Sequence, residues 1–458
     1  MKRYQTSLFI FRRDFRLNDN SALNAALTQS HQVIASFIFD PQQIDPHPYQ
    51  SQFGLQFMLQ ALANLSQQLA SCHGRLYFFQ ENPVILLSQL TTLIKLDAIF
   101  VNRDYTPFSR HRDEALSCYC QQHSIDFNVY SDVLLNEPEA ILKSNNKPYQ
   151  VFTPFHKYCS LLPVKEPQIL ATGQWVKQEI PLNKPYLLLE LKKSSTISLN
   201  FSMLDDLSSC KNYSQQHDFP AKNVTSHLAP YLKFGCYSIR QVYFAVANQL
   251  GIDHPLLKQF YWRDFFYHIA FHFPQVFGHA FNHRYANIPW RRDEELFWRW
   301  AQGTTGFPIV DAGMRQLNET GCLPNRVRMI VASFLVKDLH ISWRWGERYF
   351  AQRLIDYDPC INNGNWQWAA STGCDAQPYF RIFNPWLQQK KFDPDGDYIK
   401  QWVPELRLLS AKKLHELHLS TIKGYPAPII DHKQQTDRIK TLFKQAAGEK
   451  VTSEQEVW

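Results

Sequence analysis

The densest run of residues able to carry chemistry is Asp356-Tyr-Asp-Pro-Cys-Ile-Asn-Asn-Gly-Asn-Trp-Gln-Trp368, continuing after two alanines through Ser371-Thr-Gly-Cys-Asp-Ala-Gln-Pro-Tyr-Phe-Arg381. If 365–370 is helical, Trp366 and Trp368 stand about 200° apart around the axis and face opposite ways. One indole can then face a buried cofactor while the other lines an opening; simple packing of both is the alternative. A second run, Thr320-Gly-Cys-Leu-Pro-Asn-Arg-Val-Arg-Met-Ile-Val-Ala-Ser-Phe-Leu-Val-Lys-Asp-Leu339, reads as an amphipathic helix opened by Pro324-Asn325. Its Arg326 and Arg328 also face apart. The inward guanidinium needs a carboxylate or phosphate partner, for which Asp356 and Asp358 are candidates, and the outward one is left free for a backbone phosphate. A third run, Val224-Thr-Ser-His-Leu-Ala-Pro-Tyr-Leu-Lys-Phe-Gly235, places Thr225 and Ser226 at an expected helix start. Hydroxyls and free N–H groups there suit a phosphate or an ordinary cap.

Several chemistries are disfavoured. The nine cysteines have no CxxC spacing and no accompanying histidine cluster, so a reducing compartment is expected and a metal site is not. Net charge is +7 with no long run of like charges, which permits a nucleic-acid partner without requiring one. The apolar stretch Ser7–Phe11 is cut off by Arg12-Arg13, and nothing reaches membrane-spanning length, so a cytoplasmic protein with no membrane partner is expected. With 45% hydrophobic and 19% charged residues the chain is not a disordered one. Eleven of the twelve tryptophans lie from Trp262 onward. That half is either built on an aromatic core or binds something flat.

The elements that must position these residues change type along the chain. Short β-rich runs at Ser7–Phe11, Gln32–Phe39, Arg75–Phe79, Ala98–Val101 and Phe127–Tyr130 alternate with helical patterns at Ser21–Leu27, Phe57–Leu69, Val84–Leu93 and Arg110–His123. Such alternation predicts a Rossmann-like α/β domain with a parallel sheet over 1–135, although no GxGxxG or Walker A motif follows any strand. Periodicity is then lost through a connector, 136–199. From 200 to 445 the pattern is helical: Ser238–Leu250, Leu256–Phe271, Glu294–Gln302, Val310–Asn318, Asn325–Leu339 and Gly346–Ile355. An all-helical second domain follows, with a frayed tail over 446–458.

Longer motifs now carry a resemblance. Phe9-Ile-Phe-Arg-Arg-Asp-Phe-Arg-Leu-Asn-Asp-Asn20, Ser333-Phe-Leu-Val-Lys-Asp-Leu339, Trp366-Gln-Trp-Ala-Ala-Ser-Thr-Gly373, Tyr379-Phe-Arg-Ile-Phe-Asn-Pro385 and Lys391-Phe-Asp-Pro-Asp-Gly-Asp-Tyr-Ile-Lys-Gln-Trp-Val-Pro-Glu-Leu406 resemble the DNA photolyase/cryptochrome family over nearly the whole chain. The likeness is greatest to class I cyclobutane pyrimidine dimer photolyases. The resemblance implies FAD in the helical domain and light-driven electron transfer from reduced FAD to a pyrimidine dimer flipped out of DNA, with no metal. It implies flavin contacts at Tyr213, Thr225, Ser226, His227, Leu228, Ala229, Arg328, Asp356, Tyr357, Asp358 and Asn362, the last facing flavin N5. Trp366, Trp343 and Trp290 match a proximal, middle and surface electron wire. Gln259, Trp262, Arg263, Asn325, Arg326, Met329, Trp368, Arg381 and Gln388 match contacts to the dimer and its strand. The partner implied is dimer-containing DNA, bound by a monomer. Trp298, Trp300, Trp345, Trp386 and Trp402 are left as packing residues.

The departures from the pattern are local. Gln259 stands where the family has a glutamate that hydrogen-bonds the dimer, Cys322 replaces a tryptophan, Pro324 a histidine and Ala229 a serine. Asn325 and Met329 stand where photolyases of (6-4) photoproducts have histidines, which favours the cyclobutane substrate. Phe108-Ser109 replaces a folate-binding Asn-Glu pair, so a second antenna chromophore, of folate or deazaflavin type, keeps its identity open. The rivals are a cryptochrome-type photoreceptor and a flavin- or strand-binding protein without repair.

Overall fold

The structure is a computed structural model that describes residues 2–185, 199–222, 224–376, 378–419 and 422–448. Part of the expected connector (186–198) and most of the expected tail (449–458) lie outside the described residues. The described residues fall into two compact units, one drawn from 1–211 and 226–272, the other from 212–225 and 273–458.

In the first unit the five apolar runs form one parallel sheet. Its strands are β1 Tyr4–Phe11, β2 Ser30–Phe39, β3 Leu76–Gln80, β4 Ala98–Asn102 and β5 Asp126–Tyr130, in the order β3-β2-β1-β4-β5. Parallel strands are covered on both faces, and residues 8–11 of β1 and 98–101 of β4 are accordingly continuously apolar and buried. The crossover helices are α1 Ser21–Gln29, α2 Gln52–Ser71, α3 Pro83–Leu93 and α4 Pro107–Gln122. Apolar periodicity alone starts α4 three residues late, at Arg110. The true start is set by chemistry: Thr106 accepts a hydrogen bond from the Ser109 N–H, and Pro107 occupies the first helical position, where its missing N–H costs nothing. Asn82 and Pro83 open α3 in the same way. The unit also holds α5 Phe152–Cys159, which the sequence reading missed inside the connector, and α6 Ile239–Leu250 and α7 Pro255–His272. The connector is irregular from 163 to 185, yet Val33 of β2 exchanges backbone hydrogen bonds with Gln174 and Val176.

The second unit is helical: α8 Glu294–Ala301, α9 Pro308–Thr320, α10 Asn325–Ser333, α11 Trp343–Arg353, α12 Pro359–Ala370, α13 Pro385–Phe392, α14 Asp397–Trp402 and α15 His432–Ala446. The single helix expected over 325–339 is in fact α10 followed by a π-helical turn, Phe334–Asp338. That wide turn carries a fully buried Lys337, whose Nζ donates to Ser371 Oγ at 2.8 Å and lies 4.0 Å from the Phe443 ring centre. Desolvation holds its pKa well below the usual lysine value. The core of this unit is aromatic, with Trp300, Trp343, Trp366 and Phe350 buried and Trp345, Trp386 and Trp402 packed against it. Trp298 does not fit the packing role expected of it. It is 49% exposed.

Candidate functional site

The first turn of α10 and the segment leading into α12 bring the candidate flavin residues of the second unit together. Arg328 Nη2 reaches both carboxylate oxygens of Asp356, at 3.2 and 2.9 Å, and its Nε donates to the Leu323 carbonyl at 2.7 Å. Asp356, not Asp358, is therefore the partner of Arg328, whose side chain at 29% exposure is less buried than that of Arg326 at 18%. Asp358 instead begins α12: one carboxylate oxygen accepts the N–H groups of Cys360 and Ile361 at 3.0 and 3.1 Å, and Pro359 follows. One turn on, Asn362 is buried and donates its Nδ2 to the Glu347 backbone carbonyl at 3.0 Å, which fixes the amide plane. Asn363 donates to the Glu347 side chain at 2.8 Å. Burial pushes the Glu347 carboxyl up to about 7, against the opposing pull of Asn363, Arg344 and Arg348. Burial likewise pushes the Cys322 thiol up to about 11, so this departure from the family pattern supplies no reactive thiolate.

The three expected wire tryptophans sit on α11, on α12 and in the segment ahead of α8. Trp343 and Trp366 are buried, whereas Trp290 is half-buried and packs edge-on to Phe443 of α15, 6.3 Å between ring centres. Trp366 lies directly on the backbone of α11: a Cβ on Gly346 would stand 2.1 Å from its ring. Trp368, two residues further along α12, is half-buried and packs against the same core that contains Trp366.

Of the expected DNA contacts in this unit, Asn325 and Arg381 are exposed, and Arg326, Met329 and Gln388 are half-buried. Asn325 donates weakly to the Met329 sulfur at 3.7 Å across one turn of α10. Arg326 is not the free cation expected. Asp218 holds its guanidinium in a two-pronged pair at 3.1 and 2.7 Å, and Phe392 lies 4.3 Å beneath it. Gln388 keeps a buried side-chain oxygen without a hydrogen-bond partner. Tyr213, Thr225 and Tyr357 are all half-buried.

Apart from Thr225, the last residue of the second unit's 212–225 segment, the remainder lie in the first unit. Thr225 and Ser226 do not begin a helix: the short helical turn starts at Ala229, after His227 in the left-handed region (φ 51°) and Leu228 at the cap, with no side-chain cap bond. On α7, Gln259 is exposed, and Arg263 donates to the Val133 carbonyl at 2.8 Å and lies beside the buried Asp264. Trp262 is stacked flat on Phe152 of α5, with ring centres 3.6 Å apart, so one face of this indole is already covered. Beyond the C-terminal ends of β2 and β3 a cavity of about 340 Å³ is lined by Asp40, Gln42, Asn82, Phe108, His111 and Arg112, in the place where open parallel sheets take ligands.

Residues 7–168 match the family described as DNA photolyase, and residues 256–445 match the FAD binding domain of DNA photolyase. The deoxyribodipyrimidine photo-lyase of Vibrio cholerae is 37% identical over 96% of this chain and 99% of its own length; that of Escherichia coli K12 is 36% identical over 97% and 99%. The chain belongs to the DNA photolyase family. Its fold agrees: it superposes on the archaeal photolyase from Sulfolobus tokodaii, which carries two FAD molecules, with a TM-score of 0.88 and 40% identity over 96% of this chain and all of that one. The Synechocystis sp. PCC6803 cryptochrome gives 0.86 at 28% identity over 96% and 100%.

For a photolyase-family domain the donor set of the second unit is chemically apt for FAD. Arg328 is a cation held in place by one carboxylate, able to balance electron density on a flavin ring. Asn362 has one amide hydrogen committed and its carbonyl available. No group of histidine, cysteine and acidic residues among those described has metal-site geometry, and no described helix is long and apolar enough to cross a membrane. The sequence reading passed over three residues that set this geometry: Glu347, Asp218 and Phe152. Asp218 and Phe152 act on expected site residues more than a hundred positions away, and Glu347 acts on one fifteen positions away; no local motif announces any of them.

Proposed function

We propose that this protein repairs cyclobutane pyrimidine dimers in DNA when illuminated. The observation that carries the reading is the match, over nearly the full length of both chains, to relatives named deoxyribodipyrimidine photo-lyase. FAD, when bound, supplies light absorption and one-electron chemistry. Arg328, Asp356, Tyr357, Asp358, Asn362, Tyr213 and Thr225 of the second unit would hold it, and Ser226, His227, Leu228 and Ala229 are assigned with them on the family motif. Arg328 keeps a positive charge beside the bound group, and Asp356 holds that charge still. Asn362, braced by Glu347, presents an amide that accepts or donates according to what stands opposite it. Trp366, Trp343 and Trp290 would return electrons from the surface. Asn325, Met329, Trp368, Arg381 and Gln388, with Gln259, Trp262 and Arg263, would take the flipped lesion and its strand; unstacking a damaged step costs less than unstacking a sound one. Arg326 would have to exchange Asp218 for a phosphate. The cavity lined by Phe108 and Arg112 is the place for a second chromophore. We place the boundary of the α/β domain near 135 and give the helical domain 200–445, the protein acting in the cytoplasm as a monomer.

Illuminating the FAD-loaded, chemically reduced protein with dimer-containing oligothymidylate tests this. Thymine absorbance should recover in the light and stay constant in the dark. Normal flavin photoreduction with no recovery would transfer the reading to a photoreceptor, the class of the Synechocystis neighbour.

A further inference from the structure

Arg326 and His217 share one carboxylate. Asp218 lies just beyond the short helical turn Tyr213–Gln216 of the second unit, and its Oδ1 and Oδ2 accept from Arg326 Nε and Nη2 at 3.1 and 2.7 Å. His217 approaches the same Oδ1 with Nε2 at 3.4 Å, too long for a full hydrogen bond. Its other ring nitrogen, Nδ1, lies 2.6 Å from the Tyr213 carbonyl oxygen, and the imidazole is stacked on the Tyr213 ring, centres 4.7 Å apart at 15°. Both ring nitrogens thus face oxygen acceptors. The neutral ring has one hydrogen and satisfies only the Tyr213 carbonyl; a second hydrogen, on Nε2, would close the gap to Oδ1. The next residue, Phe219, anchors this chain edge-on to Phe392 at 6.1 Å, and the Arg326 guanidinium rests on that same Phe392 ring. The charged and titratable groups gathered at this place are Tyr213 and Asp218 from the segment itself, Arg326 from α10, and Lys391 from α13, whose Nζ lies 5.1 Å from the Phe392 ring centre.

We infer that Asp218 is a shared seat for two cations, and that through it the binding of a DNA phosphate by Arg326 is linked to the uptake of one proton by His217. The inference rests on the reading of Arg326 as a contact to the DNA strand. In the DNA-free protein Arg326, with two charge-assisted hydrogen bonds, holds the larger share of the carboxylate. A phosphate that draws Arg326 away vacates both oxygens. Left alone, Asp218 would be a bare anion beside an incoming polyanion, and the two would repel. His217 removes that cost: one proton passes from solvent to Nε2, the ring gains one positive charge, and Oδ1 takes the new N–H. Histidine suits this role because its charge changes near neutral pH, which a lysine or arginine in its place would not do. The sign follows. A ring that holds its proton more tightly in the complex than in the free protein adds affinity that is full on the acid side and is lost as pH rises past neutrality. Asp218 and His217 are therefore positioning residues for DNA, acting through Arg326.

The test is dark binding of a duplex oligonucleotide with one thymine dimer to the full-length FAD-loaded protein. The Kd is taken from pH 6 to pH 8 at constant salt, and proton uptake is taken by calorimetry in two buffers of different ionisation heat. The wild type should bind roughly 3- to 10-fold more weakly at pH 8 than at pH 6 and should take up protons on binding near pH 7. His217→Gln keeps a donor for Asp218 without a titrating charge, and should show a flat pH profile and no uptake. Asp218→Asn should also flatten the profile, and at pH 8 it should bind severalfold more tightly than the wild type, because Arg326 no longer has to leave an anion. A merely structural Asp218 gives the reverse, weaker binding at every pH with the wild-type slope, and that result would overturn the inference. So would proton uptake undiminished in His217→Gln. Should Asp218→Asn fail to fold or lose its flavin, His217→Gln decides alone. Arg326→Gln separates the linkage from the reading beneath it: binding should weaken, and the salt slope should fall by about one. Unchanged affinity there would remove Arg326 from the DNA and the linkage with it. Weakened binding there, beside a wild type whose affinity does not vary with pH, would overturn the linkage and leave Arg326 in place.

Discussion

At the scale of single residues, the site depends on groups whose ordinary ionisation or pairing has been altered. Glu347 braces both Asn362 and Asn363, and burial raises its pKa to about 7. A carboxyl that holds its proton more tightly folded than unfolded contributes stability that is full below its unfolded pKa, near 4. That contribution is lost as pH rises through about 7. Glu347→Gln keeps the acceptor for Asn363 and removes the charge. Its midpoint of thermal unfolding should change less between pH 5 and pH 8 than that of the wild type. At pH 8 it should gain stability of order 1–3 kcal/mol, measured by denaturant titration; an unchanged pH profile would mean that Glu347 is not held protonated. Gln259 raises a different question. Its amide can donate to a pyrimidine carbonyl but cannot give up a proton, so Gln259→Glu should raise the quantum yield of repair, and an equal yield in the two proteins would remove this residue from the chemistry.

At the scale of elements, α11 and α12 make the site by approaching each other closely. Gly346 permits this: an added Cβ would fall 2.1 Å and 2.4 Å from atoms of Trp366 and 2.6 Å from Leu335. Gly346→Ala should therefore push the helices apart, costing on the order of 1–3 kcal/mol and lowering FAD retention on gel filtration, whereas an unaltered melting temperature would show that the contact gives way easily. Much of this framework was legible in the sequence. All five strands and most crossover helices could be read from alternating apolar periods, because buried parallel strands and amphipathic helices leave opposite periodicities. The errors have local causes. α4 was started late because its cap and proline lie outside the apolar pattern. The π-helical turn was missed because a helix and a helix with one widened turn have nearly the same apolar spacing. At Thr225 and Ser226 the residue types suited a cap but the backbone turned at His227 instead. An acidic partner, Asp356 or Asp358, for one arginine of α10 was legible because a guanidinium on a buried helix needs an anion, and the pairing of Arg328 with Asp356 followed from the family resemblance. Asp218 beside Arg326 and Phe152 beneath Trp262 were not legible, because tertiary partners more than a hundred residues away leave no trace in spacing.

At the scale of the whole molecule, net charge is only +7, so affinity for DNA has to come from a few local cations. Each phosphate neutralised contributes a slope of about −0.9 to log K against log salt on duplex DNA, so a shallow dependence, equivalent to a few phosphates, is expected by fluorescence titration. A slope equivalent to ten or more phosphates would require a basic surface that the composition does not supply. Repair itself is the central claim, and it is tested most directly by counting turnovers. An oligonucleotide with one defined thymine dimer, in large molar excess over the reduced FAD-loaded protein, is illuminated and its dimer content followed by chromatography. The account predicts that many dimers per protein molecule revert to thymines in the light and none in the dark. A dimer content unchanged under light, with the flavin demonstrably bound and reduced, would contradict it.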